Sequence, residues 1–402
     1  MSEIFIGRQP IYDRQQGVYA YELLFRSAQQ NVADITDGDK ASSDVIVNTF
    51  MEIGLDNIVG DRLAFINLTR AFFVGETTIS LPKDRVVLEL LEDIEADEDV
   101  VAGVTRLRQQ GYSIALDDFI YHESLQPLVE LADIIKIDIM ALDQDEIRAH
   151  VTQLRKYPLR LLAEKVETRD EFDFCMALGF DYFQGYFFAQ PKIIRSQRLP
   201  NNRLAILELM SRLQNPDITP EELENLIARD ITFSFKILRY VNSAAIALPR
   251  KIESIQQAVV ILGLKTIRSW VTLLAMSQID DKPTELIVIA MIRAKMAENM
   301  ARARNETNID AYFTVGLFSA LDALMDNSME EILTQLPLAD HIRDALLHRR
   351  GNHGKTLGCV LAYERGDWEN IHCEVLKAPE IRDAYLSAVR WANETCQTLV
   401  ND

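Results

Sequence analysis

SIALDDF at residues 113–119 and DIIKID at 133–138 are the two stretches whose reading decides the fold of this chain. Each is a short apolar run that ends in charged residues, Asp117 and Asp118 in the first, Lys136 and Asp138 in the second. Short continuous apolar runs with β-branched residues suit strands buried on both faces. Five more runs repeat the pattern: YAYELLFR carries Glu22 and Arg26, RLAFINLT carries Asn67, VVLELLE carries Glu89 and Glu92, RLLAEKVE carries Glu164 and Glu167, and FDYFQGYFF carries Gln184. Amphipathic helical patterns separate them, at 41–54, 98–110, 144–156 and 168–178. Repeated strand–helix units imply parallel strands covered by helices, and their number favours a closed (β/α) barrel over an open doubly wound sheet. Neither GxGxxG nor GxxxxGK[ST] occurs, so a dinucleotide fold and a P-loop lose their main support.

From about residue 200 the pattern changes to helix after helix, expected at 203–214, 220–229, 232–243, 254–262, 264–277, 283–304, 309–325, 328–335, 340–349 and 378–399. Pro191, Pro200, Pro216 and Pro220 punctuate the change, and PKIIRSQRLPNN at 191–202 reads as a connector. Two domains are therefore expected, an α/β barrel over 1–195 and an all-α domain over 200–402, and 402 residues are enough for each to bury a core. No clean repeat marks the helical half as a solenoid.

The formal net charge of −19 opposes binding to a polyphosphate backbone, so nucleic acid is not an expected partner. Cys175, Cys359, Cys373 and Cys396 lack CxxC spacing, which speaks against zinc or a disulfide framework; they are expected to pack unpaired in a reducing cytoplasm. MSEIFIGRQP has no basic n-region or continuous apolar run, so no secretory signal is expected. LIVIAMI at 286–292 and VTLLAM at 271–276 fall far short of the roughly 20 residues that cross a bilayer, so no membrane insertion is expected either.

Parallel barrel strands point the same way, so their C-terminal ends converge on one rim. Glu22, Asn67, Glu89 and Asp117 would meet there with Asp118, Lys136, Glu164 and Gln184. Carboxylates held so close repel one another, and burial pushes their pKa values up unless cations compensate. An oxygen-rich set suits hard divalent ions such as Mg²⁺, Ca²⁺ or Mn²⁺, one or two of them, and the lack of His and Cys speaks against zinc. Such ions polarise phosphoryl oxygens and activate water. Lys136 could neutralise developing charge, Glu164 could orient or deprotonate the water, and Arg26 could grip a phosphate.

In their order, these residues resemble the EAL domain, a TIM-like barrel family that hydrolyses the bacterial messenger cyclic di-GMP. Its ExLxR element resembles Glu22 to Arg26, its Asn-x-Ser/Thr resembles Asn67 to Thr69, and its ExxE resembles Glu89 to Glu92. Its Asp-Asp-Phe, Lys-Ile-Asp, AExVE and QGY elements resemble Asp117 to Phe119, Lys136 to Asp138, Ala163 to Glu167 and Gln184 to Tyr186. The resemblance implies Glu22, Asn67, Glu89 and Asp117 as ligands of a first metal, Mg²⁺ or Mn²⁺, and Asp118 as ligand of a second. It implies Lys136, Glu164 and Gln184 around the nucleophilic water, Arg26 on the substrate phosphate, and linear pGpG as product. It also implies a homodimer. Glu92, Asp138 and Glu167 read as supporting or purely structural. Tyr182, Phe183, Tyr186, Phe187 and Phe188 read either as a stack for guanine or as core at the barrel closure.

Three departures stand out. Ile120-Tyr121-His122-Glu123-Ser124-Leu125 replaces the family's glycine-containing loop after Asp-Asp-Phe, so Ile120 should impose a different path. Lys165 stands where the family has glycine, and Leu23 where it has alanine. The altered loop motivates the alternative of a catalytically inactive receptor or scaffold.

The helical half resembles the HDOD domain, a relative of HD phosphohydrolases without their catalytic residues. Asp230, Phe235 to Ser243, Ile255 to Val259 and Leu262-Gly263 carry the likeness. The six histidines are followed by Glu, Val, Ile, Arg, Gly and Cys, so no His-Asp pair exists. His341 and His348, seven apart, read as a packed or solvent-facing pair. The role expected of this half is an output module that binds a protein partner of unknown identity.

Overall fold

A computed structural model describes residues 4–27, 54–75, 81–92, 94–189, 201–215, 217–228, 231–242, 252, 254–279, 282–371, 373 and 375–399. The chain divides into two compact units, Met1–Phe187 with Glu364–Trp368, and Phe188–Tyr363 with Glu369–Asp402. Residues 191–200 of the connector expected at 191–202, and nearly all of the helix expected at 41–54, lie outside the described residues.

The first unit is a closed barrel of eight strands in sequence order: β1 (Ile4–Asp13), β2 (Val18–Ser27), β3 (Leu63–Leu68), β4 (Val86–Leu90), β5 (Ser113–Leu116), β6 (Ile134–Asp138), β7 (Arg160–Glu164) and β8 (Tyr182–Gln184). All seven apolar runs form strands, β2 to β8, in parallel pairs. The expectation that every strand is parallel needs a correction, because β1 runs antiparallel to both β2 and β8. The reason is local. Only residues 14–17 link β1 to β2, too few for a parallel crossover, and the turn is held by the Asp13 carboxylate, which accepts the N–H groups of Gln15 and Gly17 at 2.9 Å each.

Helices α1 (Leu55–Val59), α2 (Arg70–Val74), α3 (Glu98–Gln109), α4 (Gln126–Val129), α5 (Gln144–Leu154) and α6 (Arg169–Leu178) belong to this unit. Polar side chains set the starts of the longer ones. Asp97 accepts the Val100 N–H at α3, and Asp143 with Glu146 and Thr168 with Glu171 form capping boxes at α5 and α6. Glu98 and Asp99 occupy the first turn of α3, where carboxylates are favoured.

Side chains of a strand alternate between its faces, and in a barrel one face points inward. Ile11, Ala20, Phe65, Val87, Ala115, Ile134, Leu162 and Tyr182, one from each strand, pack as a single buried layer inside the barrel. Moving two residues toward the C-terminal ends of β2 to β8 gives Glu22, Asn67, Glu89, Asp117, Lys136, Glu164 and Gln184. On the reversed β1 the same step leads back from Ile11 to Gln9. The apolar layer is thus the floor of the polar one.

The second unit comprises α7 (Asn201–Leu213), α8 (Pro220–Ala228), α9 (Ile231–Val241), α10 (Ile255–Leu262), α11 (Leu264–Ser277), α12 (Thr284–Ala303), α13 (Ile309–Phe318), α14 (Leu321–Met325), α15 (Met329–Thr334), α16 (Asp340–His348), α17 (Gly351–Glu364) and α18 (Ala378–Leu399). Two features depart from expectation. The helix expected over 309–325 breaks at Ser319, whose hydroxyl turns back onto the Gly316 carbonyl at 2.7 Å and whose backbone carbonyl and hydroxyl oxygens face the Arg293 guanidinium. Helix α17 was not expected, since Gly351, Gly354 and Gly358 mask its propensity. Gly354 is required by packing: a Cβ there would lie 2.2 Å from the Arg349 carbonyl carbon.

The cysteine reading is half corrected. Cys175 and Cys396 are free and buried, but Cys359 and Cys373 form a disulfide with Cα atoms 6.4 Å apart, a spacing that tertiary structure alone sets. Among the described residues, no helix is long and apolar enough to cross a membrane.

Gly185 closes the barrel behind Gln184. Its φ is 148°, and a Cβ would sit 2.1 Å from the Val166 carbonyl oxygen. Gly179→Ala serves as the comparison, because Gly179 is also left-handed (φ 94°) but has no atom closer than 3.4 Å to a built Cβ. In urea titration Gly179→Ala should lose about 1 kcal/mol from the backbone alone, and Gly185→Ala about 2–4 kcal/mol from clash and backbone together. Equal losses would remove the close approach to Val166 as the reason for glycine.

Candidate active site

Lys136 stands at the centre of the polar layer and has no exposed surface. Its ammonium nitrogen lies 2.6 Å from Asp117 Oδ1, 2.8 Å from Glu89 Oε1, 2.9 Å from Glu164 Oε1 and 3.3 Å from Glu22 Oε2. Each partner comes from a different strand or strand end, so the cluster exists only when the barrel closes. Glu22 is held further by Asn67 Nδ2, which donates to Oε1 at 2.9 Å, and by Gln184 Nε2, which donates to Oε2 at 2.6 Å. Gln184 Nε2 also donates to Gln9 Oε1 at 3.0 Å.

Four carboxylates against one ammonium leave the site short of positive charge, and the protonation of its members reflects this. Burial pushes Glu89 well above the usual carboxylate range; Lys136 opposes it, and Glu22 and Asp117 add to it. Burial likewise raises Asp117, against Lys136 and with the help of Glu22 and Asp118. Burial raises Glu164 to about 8, again against Lys136, with Asp117 and Glu22 contributing. Glu22 goes the other way. Burial is its largest influence and acts upward, but Lys136, Gln184 and Asn67 together outweigh it and hold the carboxylate low. Burial also works against the Lys136 charge, yet Glu22, Glu89, Glu164 and Asp117 raise its pKa well above normal.

Several buried acceptors are left over. Asn67 Oδ1, Glu89 Oε2, Glu164 Oε2 and Gln184 Oε1 have no hydrogen-bond donor among the described residues. Orphaned acceptors of this kind are rare in a folded protein and call for a cation or water. Among the described residues, no three acidic, His or Cys side chains already face a common metal position, because the carboxylates face Lys136 instead. By chemistry, however, the set fits a hard divalent ion: oxygen donors only, surplus negative charge and unused lone pairs.

Of the site residues read from the sequence, Glu22, Asn67, Glu89, Asp117, Lys136, Glu164 and Gln184 come together. Asp118 does not join them. Its carboxylate faces Lys165, whose ammonium is 3.5 Å from both Asp118 oxygens and 2.5 Å from Asp138 Oδ2. Burial acts against the Lys165 charge, but the Asp138 hydrogen bond and the charges of Asp118, Asp138 and Glu164 raise its pKa. Arg26 lies on β2 opposite Phe5, and its side chain is outside the described set. Glu92 is exposed in a turn, and the Glu167 N–H donates to the Glu171 carboxylate at the start of α6. Asp138 caps the following turn, its Oδ1 accepting from Met140 N at 2.8 Å.

Two participants escaped the sequence reading. Gln9 lies on β1, which was not recognised as a strand; the alternation in IFIGRQPIYD was the available signal. Lys165 shows in the sequence only as a departure from the family's glycine, and its ion pairs join residues 27 and 47 positions away. The aromatic run at the closure is largely core: Tyr182 belongs to the barrel floor, and Phe183 and Phe187 pack on Phe172. In the glycine-poor loop the positive φ falls on Asp118 (39°), and Ile120 projects outward, 56% exposed. In the helical unit, His341 lies against His353, ring centroids 5.0 Å apart.

Comparison with known proteins gives two family matches, the EAL domain over residues 62–191 and the HDOD domain over 199–345. The chain is 34% identical to the uncharacterized protein YuxH of Bacillus subtilis over 404 residues, covering 97% of this chain and 98% of that protein. It is 34% identical to the cyclic di-GMP phosphodiesterase CdgJ of Vibrio cholerae over 405 residues, covering 98% of this chain and 93% of the other. A solved Bacillus subtilis structure, YkuI with an EAL domain, is 25% identical with a TM-score of 0.38 over 46% of this chain and 54% of that one. Both domain matches and the near full-length identity to two relatives make this chain a member of the family that joins an EAL domain to an HDOD domain.

Proposed function

We propose that the chain is a bacterial cyclic di-GMP signalling protein: the barrel binds the messenger and hydrolyses it to pGpG with a divalent metal, Mg²⁺ or Mn²⁺, and the HDOD domain is the output module. The observation that carries this reading is the convergence of Glu22, Asn67, Glu89, Asp117, Lys136, Glu164 and Gln184 on one inward layer, with more carboxylates than the single ammonium can neutralise. The name of the Vibrio cholerae relative supports the same substrate and reaction, and favours turnover over the receptor alternative.

Glu22, Asn67, Glu89 and Asp117 are the residues that would hold the ion. Bound there, it would supply Lewis-acid polarisation of a phosphoryl oxygen and acidify a water. The protein's own residues do the rest. Glu164 takes the proton of the attacking water, and Gln184 and Lys136 orient that water and Glu164. Lys136 also offsets negative charge that develops on the phosphoryl oxygens. Water adds to phosphorus, one P–O3′ bond breaks, and the proton ends on the released 3′ oxygen. The product is a linear dinucleotide with one 5′-phosphate. Arg26, by its place in the ExLxR element, would grip the other phosphate.

A nucleotide messenger belongs to the cytoplasm, and this reading puts the chain there. Ile120 and Met140, 56% and 61% exposed at strand-end loops, support contact between two barrels in a homodimer. Exposed Phe235 on α9 and Val260 on α10 support protein contacts by the helical unit.

Purified full-length chain with cyclic di-GMP and Mg²⁺ or Mn²⁺ should yield pGpG by chromatography, and Glu22→Ala and Glu164→Gln should each reduce turnover by about 100-fold or more. Binding by calorimetry without product would make the protein a receptor and overturn the hydrolytic reading.

Glu164 makes the stability of the metal-free barrel depend on pH. Its folded pKa of about 8 exceeds the ordinary 4.5, so the metal-free folded state holds a proton that the unfolded chain releases. The stability this represents is complete below about pH 4.5 and is lost as pH rises through about 8. In EDTA the barrel's melting temperature should therefore fall between pH 6 and about 8.5, and Glu164→Gln should flatten that fall. Added Mg²⁺ or Mn²⁺ should raise the melting temperature most at the alkaline end. A metal effect independent of pH would count against binding at these carboxylates.

A further inference from the structure

Lys165 directly follows Glu164 at the end of β7, with a left-handed φ of 56°, just as Asp118 follows Asp117 with a φ of 39°. The ends of β5 and β7, on either side of β6, thus each place a non-glycine residue in a conformation that favours glycine, and their side chains meet. The Lys165 ammonium bridges Asp118, at 3.5 Å from both oxygens, and Asp138, at 2.5 Å from Oδ2. Asp138 is fully engaged, because its Oδ1 accepts the N–H groups of Met140 at 2.8 Å and Ala141 at 3.3 Å. Asp118 has this ammonium in front of its carboxylate and takes no part in the Lys136 cluster.

The polar rim therefore contains two separate charge assemblies. In the inner one, four carboxylates share the Lys136 ammonium and leave acceptors without donors. In the outer one, two carboxylates share the Lys165 ammonium, and neither Asp118 nor Asp138 has an orphaned buried oxygen. With every carboxylate ionised, one ammonium stands against four carboxylates in the inner assembly and against two in the outer, so the inner is the shorter of positive charge. A divalent ion on Asp118 would have to displace the ammonium or sit against it, and like charges at that separation repel strongly in a partly buried site.

We propose that Lys165 is a built-in cation in the position a second metal would need, so that the barrel holds a single divalent ion, at the inner cluster. The inference rests on the metal reading of that cluster given above. Lys165 acts as a positioning residue: it fixes Asp118 and Asp138 relative to Glu164, which precedes it in the chain. Asp118 is then an anion held by a lysine, and not a metal ligand.

The test is Mn²⁺ stoichiometry, measured by equilibrium dialysis and by electron paramagnetic resonance on the full chain at pH 7.5. Wild type should bind one Mn²⁺ per chain with the spectrum of an isolated ion. Lys165→Met removes the charge and keeps the side chain's length; it should bind a second Mn²⁺ at least tenfold more tightly than wild type does and show spin coupling between the two ions. Lys165→Arg keeps the charge and should bind one. Lys165→Gly, which relieves the positive φ, supplies a folded uncharged variant should the methionine protein not fold, and it should also bind two. Two ions in wild type, or one in both uncharged variants, would overturn the role of Lys165 and leave the inner metal site standing. No Mn²⁺ in any variant would overturn the inner site, and this inference with it.

Discussion

A lysine ammonium with no exposure to water can remain charged only if the protein replaces its hydration with anions, and Lys136 does so with Glu22, Glu89, Asp117 and Glu164. The constraint is mutual. Remove the ammonium and four acidic groups face one another in a dry barrel mouth; remove the carboxylates and a buried cation stands alone. Since Lys136 stands on β6 and its partners come from β2, β4, the end of β5 and β7, no part of the barrel can form this cluster until the sheet has closed. The apolar layer directly beneath it, one residue from each strand, supplies the stability that such an assembly of charges does not supply itself.

The surplus of acid over base separates a structural ion cluster from a site built for chemistry. A balanced buried network would bring every carboxylate near or below its ordinary range. Here only Glu22 is held low, by an ammonium and two amide donors, whereas Glu89, Asp117 and Glu164 are raised by burial and by one another. Carboxyl groups kept partly protonated for want of positive charge have a built-in demand for a cation. The outer pair around Lys165 leaves no buried oxygen without a partner, so the neighbouring aspartates Asp117 and Asp118 face different partners.

The helical unit follows a different rule. Its helices were legible wherever apolar periodicity ran without interruption, and were missed or merged where a contact made only in the folded chain decided. Ser319 breaks a helix because its hydroxyl returns to the Gly316 carbonyl while Arg293, from another helix, engages its oxygens. Helix α17 has three glycines in eight residues, and at Gly354 the backbone of Arg349 comes too close for any side chain. Low propensity and close packing are two consequences of the same residue, and the sequence displays only the first.

Alternation and order were properties of the sequence itself. Seven apolar runs ending in polar residues determined seven strands, their parallel pairing and the identity of most of the inward polar layer, because side-chain direction in a strand has period two. Three things were decided by tertiary structure alone. The direction of β1, and with it the place of Gln9, came from a turn too short for a crossover. The pairing of Cys359, on α17, with Cys373, which lies outside any helix, came from the path of the chain after α17. The separation of Asp118 from the Lys136 cluster goes with Lys165, whose charge is plain in the sequence but whose partners lie on other strand ends. Each is a matter of which distant groups become neighbours, and that is determined by closure of the barrel and packing of the helices, not by local pattern.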